Sequence, residues 1–178
     1  MHITRYSTEI ARSHFNGKTK NIVEVGVGNA TNGLDMREKL NSDVLYLVDP
    51  YVPPDGWPNY DYTAKEALAN LRIVERKIKD LDDVILVHKK SHEAVVDVPD
   101  ELDLVYIDAI HDYEHVQQDI ECWYPKIRIG GILCGHDYYE EGVRLSVLNK
   151  FSVFDESILS VDRVGWGAES SDWFIIKT

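Results

Sequence analysis

The chain has 178 residues, of which 31 are acidic and 19 basic, for a formal net charge of −12. That length fits one domain spanning residues 1–178, and an apolar content of 44% excludes a disordered chain. The acidic balance excludes nucleic acid or an anionic membrane surface as the main partner, because both need clustered Lys and Arg.

No apolar run reaches the roughly 20 residues that span a bilayer. The opening Met1-His2-Ile3-Thr4-Arg5-Tyr6 lacks the apolar stretch of a secretion signal, so a soluble, cytoplasmic protein is expected. Cys122 and Cys134 form neither a metal-type pair nor a disulfide framework.

In chain order, Asn21–Gly26 reads as a buried strand, followed by a helix over Thr31–Leu40. Asp43–Asp49 is a second strand. Thr63–Lys79 carries Ala64, Ala67, Leu68, Leu71, Val74 and Ile78 at helical spacing. Val84–Val87 is a third strand and Leu102–Asp108 a fourth. Tyr113–Ile127 places Val116, Ile120, Trp123 and Tyr124 on one helical face. Gly130-Gly131 breaks the chain before a fifth strand, Ile132–Gly135, and a helix follows over Glu141–Phe151. Strand-like stretches near Ile158–Val164 and Asp172–Lys177 flank a Gly-rich turn and suggest a hairpin.

Strands alternating with helices imply a parallel sheet covered on both faces. The expected fold is therefore α/β: a Rossmann-like, doubly wound, mostly parallel seven-stranded sheet with an antiparallel terminal strand. In such sheets ligands bind outside the carboxyl ends of the strands, where strand order reverses. Polar residues gather at those predicted ends: Glu24, Asp49, Ser91-His92, Asp108 and His136-Asp137.

The loop Glu24-Val25-Gly26-Val27-Gly28-Asn29-Ala30-Thr31 opens a helix directly after the first strand. Its glycines let a ligand press against the backbone. Thr31 stands where a pyrophosphate loop needs glycine, and no Gly-Lys-Ser/Thr follows, so this is neither a dinucleotide fingerprint nor a P-loop. Glu24 would repel a phosphate and suits a cationic ligand. Asp49, 23 residues after Gly26, can accept two hydrogen bonds from a ribose diol.

This acidic-x-Gly-x-Gly pattern resembles the first motif of class I S-adenosylmethionine-dependent methyltransferases. Two further stretches resemble the small bacterial group that includes macrocin-type sugar O-methyltransferases. They are Tyr106-Ile107-Asp108-Ala109-Ile110-His111-Asp112-Tyr113 and Gly130-Gly131-Ile132-Leu133-Cys134-Gly135-His136-Asp137-Tyr138. The likeness runs from about Asn21 to Lys177, with Ala30 standing where many relatives have a third glycine.

The resemblance implies an S-adenosylmethionine cofactor and a role for each matching residue. Glu24, Gly26 and Gly28 would line its methionine part, and Asn29 would be a further cofactor-binding residue. Asp49 would hold the ribose, and Pro50 and Tyr51 would border the adenosine. Ser91 and His92 would lie by the adenine edge, and Asp108 beside the methyl sulfonium. In metal-dependent relatives, residues placed like Asp108, His136 and Asp137 hold Mg²⁺. Carboxylates suit Mg²⁺, whereas a histidine shifts the preference toward another divalent metal such as Mn²⁺ or Fe²⁺.

Methyl transfer requires the acceptor oxygen to be oriented and deprotonated. His111, beside Asp108, is the candidate base at neutral pH. The expected substrate is a small hydroxylated molecule, a sugar or natural product. The alternative is a cofactor-binding or interaction module of the same fold that has lost its chemistry.

Elsewhere, His115 and Asp119 fall at i, i+4 and read as a surface contact. Cys134 reads as inert core, and the acidic runs as solvated faces. The loop Tyr51–Tyr62, with four aromatics and three prolines, reads as a stiff binding surface or a packed connector. The terminal segment offers an edge for a homodimer.

Overall fold

The computed structural model describes residues 5–53, 63–151, 160–161 and 172–178. Among the described residues, seven strands form one sheet. They are β1 (Asn21–Val25), β2 (Val44–Val48), β3 (Val84–Val87), β4 (Leu102–Ile107), β5 (Ile127–Gly135), β6 (Ser160–Val161) and β7 (Trp173–Ile176). Their order is β3-β2-β1-β4-β5-β7-β6. The first five are parallel, and β7 runs antiparallel to both β5 and β6.

Helices α1 (Tyr6–His14), α2 (Thr31–Lys39), α3 (Ala64–Ile78), the single-turn α4 (Ser91–Ala94), α5 (Tyr113–Trp123) and α6 (Glu141–Phe151) cover the sheet. Among the described residues no helix is long and apolar enough to cross a membrane.

The strands alternate between two buried clusters, as period-two geometry demands, except across the register shift between Leu102 and Leu104. Val23, Val25, Val105 and Ile107 join Ile120 and Trp123 of α5. Ile22, Leu104 and Tyr106 join Met36 of α2, Val74 of α3 and Ala11 of α1. Both faces are thus dry, which is why these strands read as continuous apolar runs rather than alternating ones.

Strand order reverses between β1 and β4. Asp108 N–H donates to Val25 O at 2.8 Å, so the loops after these two strands start side by side.

Two boundaries and the N-terminal helix differ from the sequence expectation. Helix α5 stops at Trp123, where Pro125 enters a short 3₁₀ turn. Strand β5 begins at Ile127, because Gly130 takes φ 75° and the chain slips register against β4 instead of ending the strand. Helix α1 has no counterpart in the sequence reading. Its buried face is Ser7, Thr8 and Ala11, too small and polar to register as an apolar stripe.

Candidate functional site

The loop between β1 and α2 turns on Gly26 (φ 83°), Gly28 (φ 53°) and Ala30 (φ 60°). At Gly26 the turn is obligatory. A β-carbon there would lie 2.2 Å from the carbonyl oxygen of Asp108. Only glycine combines positive φ with so close a backbone approach.

Asp49, just past β2, knits this loop to its own. Its Oδ2 accepts from the Val27 and Gly28 amides at 2.9 and 3.2 Å, and its Oδ1 from Tyr51 N–H at 2.7 Å. Burial pushes the Asp49 pKa up, against the pull of those three amides and of His88. Asn29 accepts from the Thr31 amide and hydroxyl, starting α2. Lys77 of α3 donates to Asn29 O at 2.8 Å and Thr31 Oγ1 at 3.0 Å, tying the loop down from outside.

Two cavities flank this loop. The first, of about 320 Å³, is lined by Gly26, Gly28, Asp49, Pro50, Ser91 and His92, among others. The second, of about 480 Å³, is lined by Glu24, Gly28, Asn29, Asn32, Asp108 and His111, with Arg5 at its wall. Asp108 borders both.

Most residues expected to bind a cofactor therefore face one or the other cavity. Tyr51 does not. Its positive φ of 46° turns the side chain into the core, edge-on to His88 with ring centroids 5.7 Å apart. Val52 and Pro53 line the cavity there instead. Trp57, Tyr60 and Tyr62 of the aromatic loop lie outside the described residues.

Glu24 is 1% exposed. Its Oε1 accepts from Asn32 Nδ2 at 2.8 Å, and Gly33 leaves it room, since a β-carbon there would meet Oε2 at 2.4 Å. Burial pushes its pKa up to about 8, reinforced by the charges of Asp108 and Asp49 and opposed by hydrogen bonds from Asn32 and Gly33. A cation placed beside it would draw off that proton.

The ends of β4 and β5 bring the titratable groups together. His111 Nε2 stands 3.1 Å from Asp137 Oδ2 and 3.7 Å from Asp108 Oδ1. Burial, the largest influence on His111, would lower its pKa. Hydrogen bonding to Asp108 and the charges of Asp137, Asp108 and Glu140 outweigh it, and the net shift is upward. Asp137 is pushed up by burial but lowered overall by its hydrogen bond to His136 and the positive charges around it.

His136 does not join this group as the sequence suggested. Among the described residues, Asp108, His111 and Asp137 are the three whose ligand atoms all lie within 4.8 Å of one another. Arg5 can only donate, so it bonds His136 Nε2, and the Nδ1–H is directed to Asp137 Oδ1 at 2.9 Å. Both ring nitrogens are thereby engaged.

Sequence reasoning missed three contributors. Arg5 approaches Asp108 at 3.9 Å from a helix that leaves no apolar trace in the sequence. Asn32 holds Glu24. Asp119 borders the first cavity and is only 4% exposed, so the expected surface contact with His115 gives way; His115 Nδ1 lies 2.7 Å from Asp112 instead. A signal existed for Asp119: it sits on the same helical stripe as Val116, Ile120 and Trp123.

Solved structures with this fold include SMU.1697c of Streptococcus mutans, described as a candidate methyltransferase in complex with SAH. It is 14% identical, with 99% of this chain and 100% of that one covered and a TM-score of 0.67. An rRNA methylase of Streptococcus thermophilus is 13% identical, with 99% of each chain covered and a TM-score of 0.67. The O-methyltransferase NovP is 20% identical, with 97% of this chain and 79% of that one covered and a TM-score of 0.65. At such identities the likeness is one of fold. No curated protein sequence matches the chain. Residues 23–138 match the family described as a methyltransferase domain. That stretch holds the glycine loop, Asp49 and the whole Asp108–His111–Asp137 group, and the chain belongs to this methyltransferase family.

Proposed function

We propose that the protein is an S-adenosylmethionine-dependent O-methyltransferase acting on a small hydroxylated molecule, a sugar or a natural-product scaffold. The observation that carries this reading is the His111–Asp137 contact of 3.1 Å at the mouth beside the glycine loop. It supplies an oriented base where a hydroxyl could approach a methyl donor. The carboxylates Glu24 and Asp49 suit the ammonium and the ribose diol of such a donor. The SAH bound to SMU.1697c and the O-methyl transfer named for NovP support the same reading. A rRNA substrate is disfavoured by the net charge of −12.

S-adenosylmethionine, held by Glu24, the glycine loop and Asp49, would supply the methyl group together with a neutral thioether leaving group. The chain's own residues orient and deprotonate the acceptor hydroxyl. His111 takes the hydroxyl proton, and Asp137 and Asp108 stabilise the imidazolium that forms. Arg5, Asp137 and His136 fix one another and so hold Asp137 in place.

A second reading has its own observation. Asp108, His111 and Asp137 offer two carboxylates and an imidazole within 4.8 Å, a donor set that fits Mg²⁺ or another divalent metal such as Mn²⁺. An ion held there would acidify the acceptor hydroxyl. Arg5 already lends positive charge to Asp108 at 3.9 Å, which favours the metal-free reading.

Isothermal calorimetry with S-adenosylhomocysteine tests the cofactor. No binding at about 1 mM, a limit near −4 kcal/mol, rejects it. Methyl transfer that survives exhaustive chelation selects the His111 base, and activity restored only by Mn²⁺ or Mg²⁺ selects the metal.

A further inference from the structure

The mechanism leaves one buried acid unused. Asp172 is 4% exposed and lines neither cavity. It stands just before β7, whose Trp173 pairs with Gly135, so the register sets it beside His136. A carboxylate removed from water needs donors. Its Oδ2 accepts from the Ser7 amide at 3.0 Å and the Ser7 hydroxyl at 2.7 Å, and its Oδ1 from the Tyr106 hydroxyl at 3.2 Å.

The bonds to Ser7 supply what α1 lacks. Arg5 stands at the N-cap and its side chain gives no cap, while the first amides of a helix have no partner within it. Asp172 accepts from one of those amides, as a capping side chain would, but from 165 positions away. A carboxylate also suits the positive end of a helix. The start of α1 is therefore pinned beside the end of β5.

Arg5 is the residue that this pinning places. Its Nη1 donates to His136 Nε2, and its Nη2 lies 3.9 Å from Asp108. His136 then has only Nδ1–H to give, and gives it to Asp137 Oδ1 at 2.9 Å. Asp137 Oδ2 in turn faces His111 at 3.1 Å. Without Arg5 the choice of tautomer reopens, because Asp172 Oδ1 lies 3.9 Å from the same Nε2 and would favour a proton there. A bare lone pair on Nδ1 would then face Asp137 and repel it. Asp137 has φ 55°, a backbone state that side chains rarely adopt and that persists only when its surroundings hold it.

We infer that Asp172 is a positioning residue: by capping α1 through Ser7 it seats Arg5 on His136, which keeps His136 in its Nδ1–H form and Asp137 aimed at His111. The site is thus completed from both ends of the described chain. The consequence for turnover rests on the proposed methyl transfer, whereas the seating of Arg5 does not.

The variants Asp172→Ala, Ser7→Ala and Arg5→Met test this in two ways. Proton–nitrogen correlation spectra of the imidazoles are recorded at alkaline pH, where histidine is neutral, with His136→Gln to assign the signals. The wild type should show Nδ1–H on His136, and each variant should lose that form. With an accepted hydroxylated substrate, Asp172→Ala should lower kcat by about tenfold or more through misplacement alone. Its affinity for S-adenosylhomocysteine should stay as in the wild type. Adding Arg5→Met to Asp172→Ala should lower kcat no further, since one residue acts through the other. A residue that only supports the fold would leave the His136 tautomer unchanged and let the two losses multiply; either result overturns the assignment. If Asp172→Ala does not fold, Ser7→Ala is held to the same outcomes. A wild type with the His136 proton on Nε2 also overturns it, with no variant needed. If S-adenosylhomocysteine does not bind the wild type, the methyl-transfer reading fails, while the imidazole spectra still decide whether Asp172 seats Arg5.

Discussion

His111 and Asp137 come from different strand ends and meet at 3.1 Å, so the loop after β5 orients a side chain supplied by the loop after β4. The pair exists because β4 and β5 are neighbours in register, with Ile107 beside Gly135. Replacing His111 by Gln should lower kcat by about 10²–10⁴-fold, the usual contribution of a general base, with little change in cofactor affinity. Asp137→Asn removes a charge that holds the His111 pKa above 6.5. Because the base must be unprotonated, the rising limb of the pH–rate profile should move to lower pH. Rates measured on one accepted hydroxylated substrate between pH 5 and 9 check both.

Glu24 makes stability depend on pH in a predictable direction. Its pKa is about 8 in the folded protein against an ordinary 4.5, so the native state holds the proton more tightly than the unfolded chain. The stabilisation is fully present below about pH 4.5 and is lost as pH rises through 8. Asp119, pushed up to about 6 by burial, acts in the same direction over a lower window. Without ligand, the melting temperature should therefore fall between about pH 4.5 and 8. Glu24→Gln should flatten the curve between about pH 6 and 8, leaving below pH 6 the slope that Asp119 supplies.

Two glycines with positive φ should respond very differently to alanine. At Gly17, with φ 67° and open space around the missing β-carbon, only backbone strain is added, roughly 1–2 kcal/mol. At Gly26 the new carbon would collide with the Asp108 backbone at 2.2 Å. There the loss should exceed about 4 kcal/mol or prevent folding. Urea unfolding of the two variants side by side separates strain from collision.

Lys77 sits outside the cavities yet grips Asn29 and Thr31. Lys77→Met should change global stability by no more than about 0.5 kcal/mol, as an exposed substitution does. It should weaken S-adenosylhomocysteine binding by loosening the loop. A thermal melt and a calorimetric titration of the same sample would show the two effects apart.

The legible parts of this fold were those written in continuous chemistry. The runs Asn21–Val25 and Leu102–Ile107 face apolar layers on both sides, so they stand out without alternation. Asp108 and Asp137 were legible because a strand must end before them. What stayed hidden depends on direction rather than composition. Nothing local says that Tyr51 takes φ 46° and turns inward, or that His136 faces Arg5 some 131 positions away. Helix α1 was invisible because Ser7 is buried by bonding, not by apolarity: its amide and hydroxyl both donate to Asp172. Asp119 was misread because an i, i+4 rule for exposed faces was applied to a face that is covered.

Helix α1 also sets how the molecule can be held. Arg5 at its start pairs with Asp108 and His136, whereas His14 at its last turn bonds Gly130 O near the far end of β5. Strand β7 runs back alongside, from Trp173 opposite Gly135 to Ile176 opposite Ile132. The two ends of the described chain therefore leave from opposite rims of the sheet. A surface anchor or fluorescent label attached beyond Lys177 would leave the reaction mouth open. The same attachment ahead of Arg5 would crowd it, so a simple swap of attachment end reports on access to the cavity without altering a single residue of it.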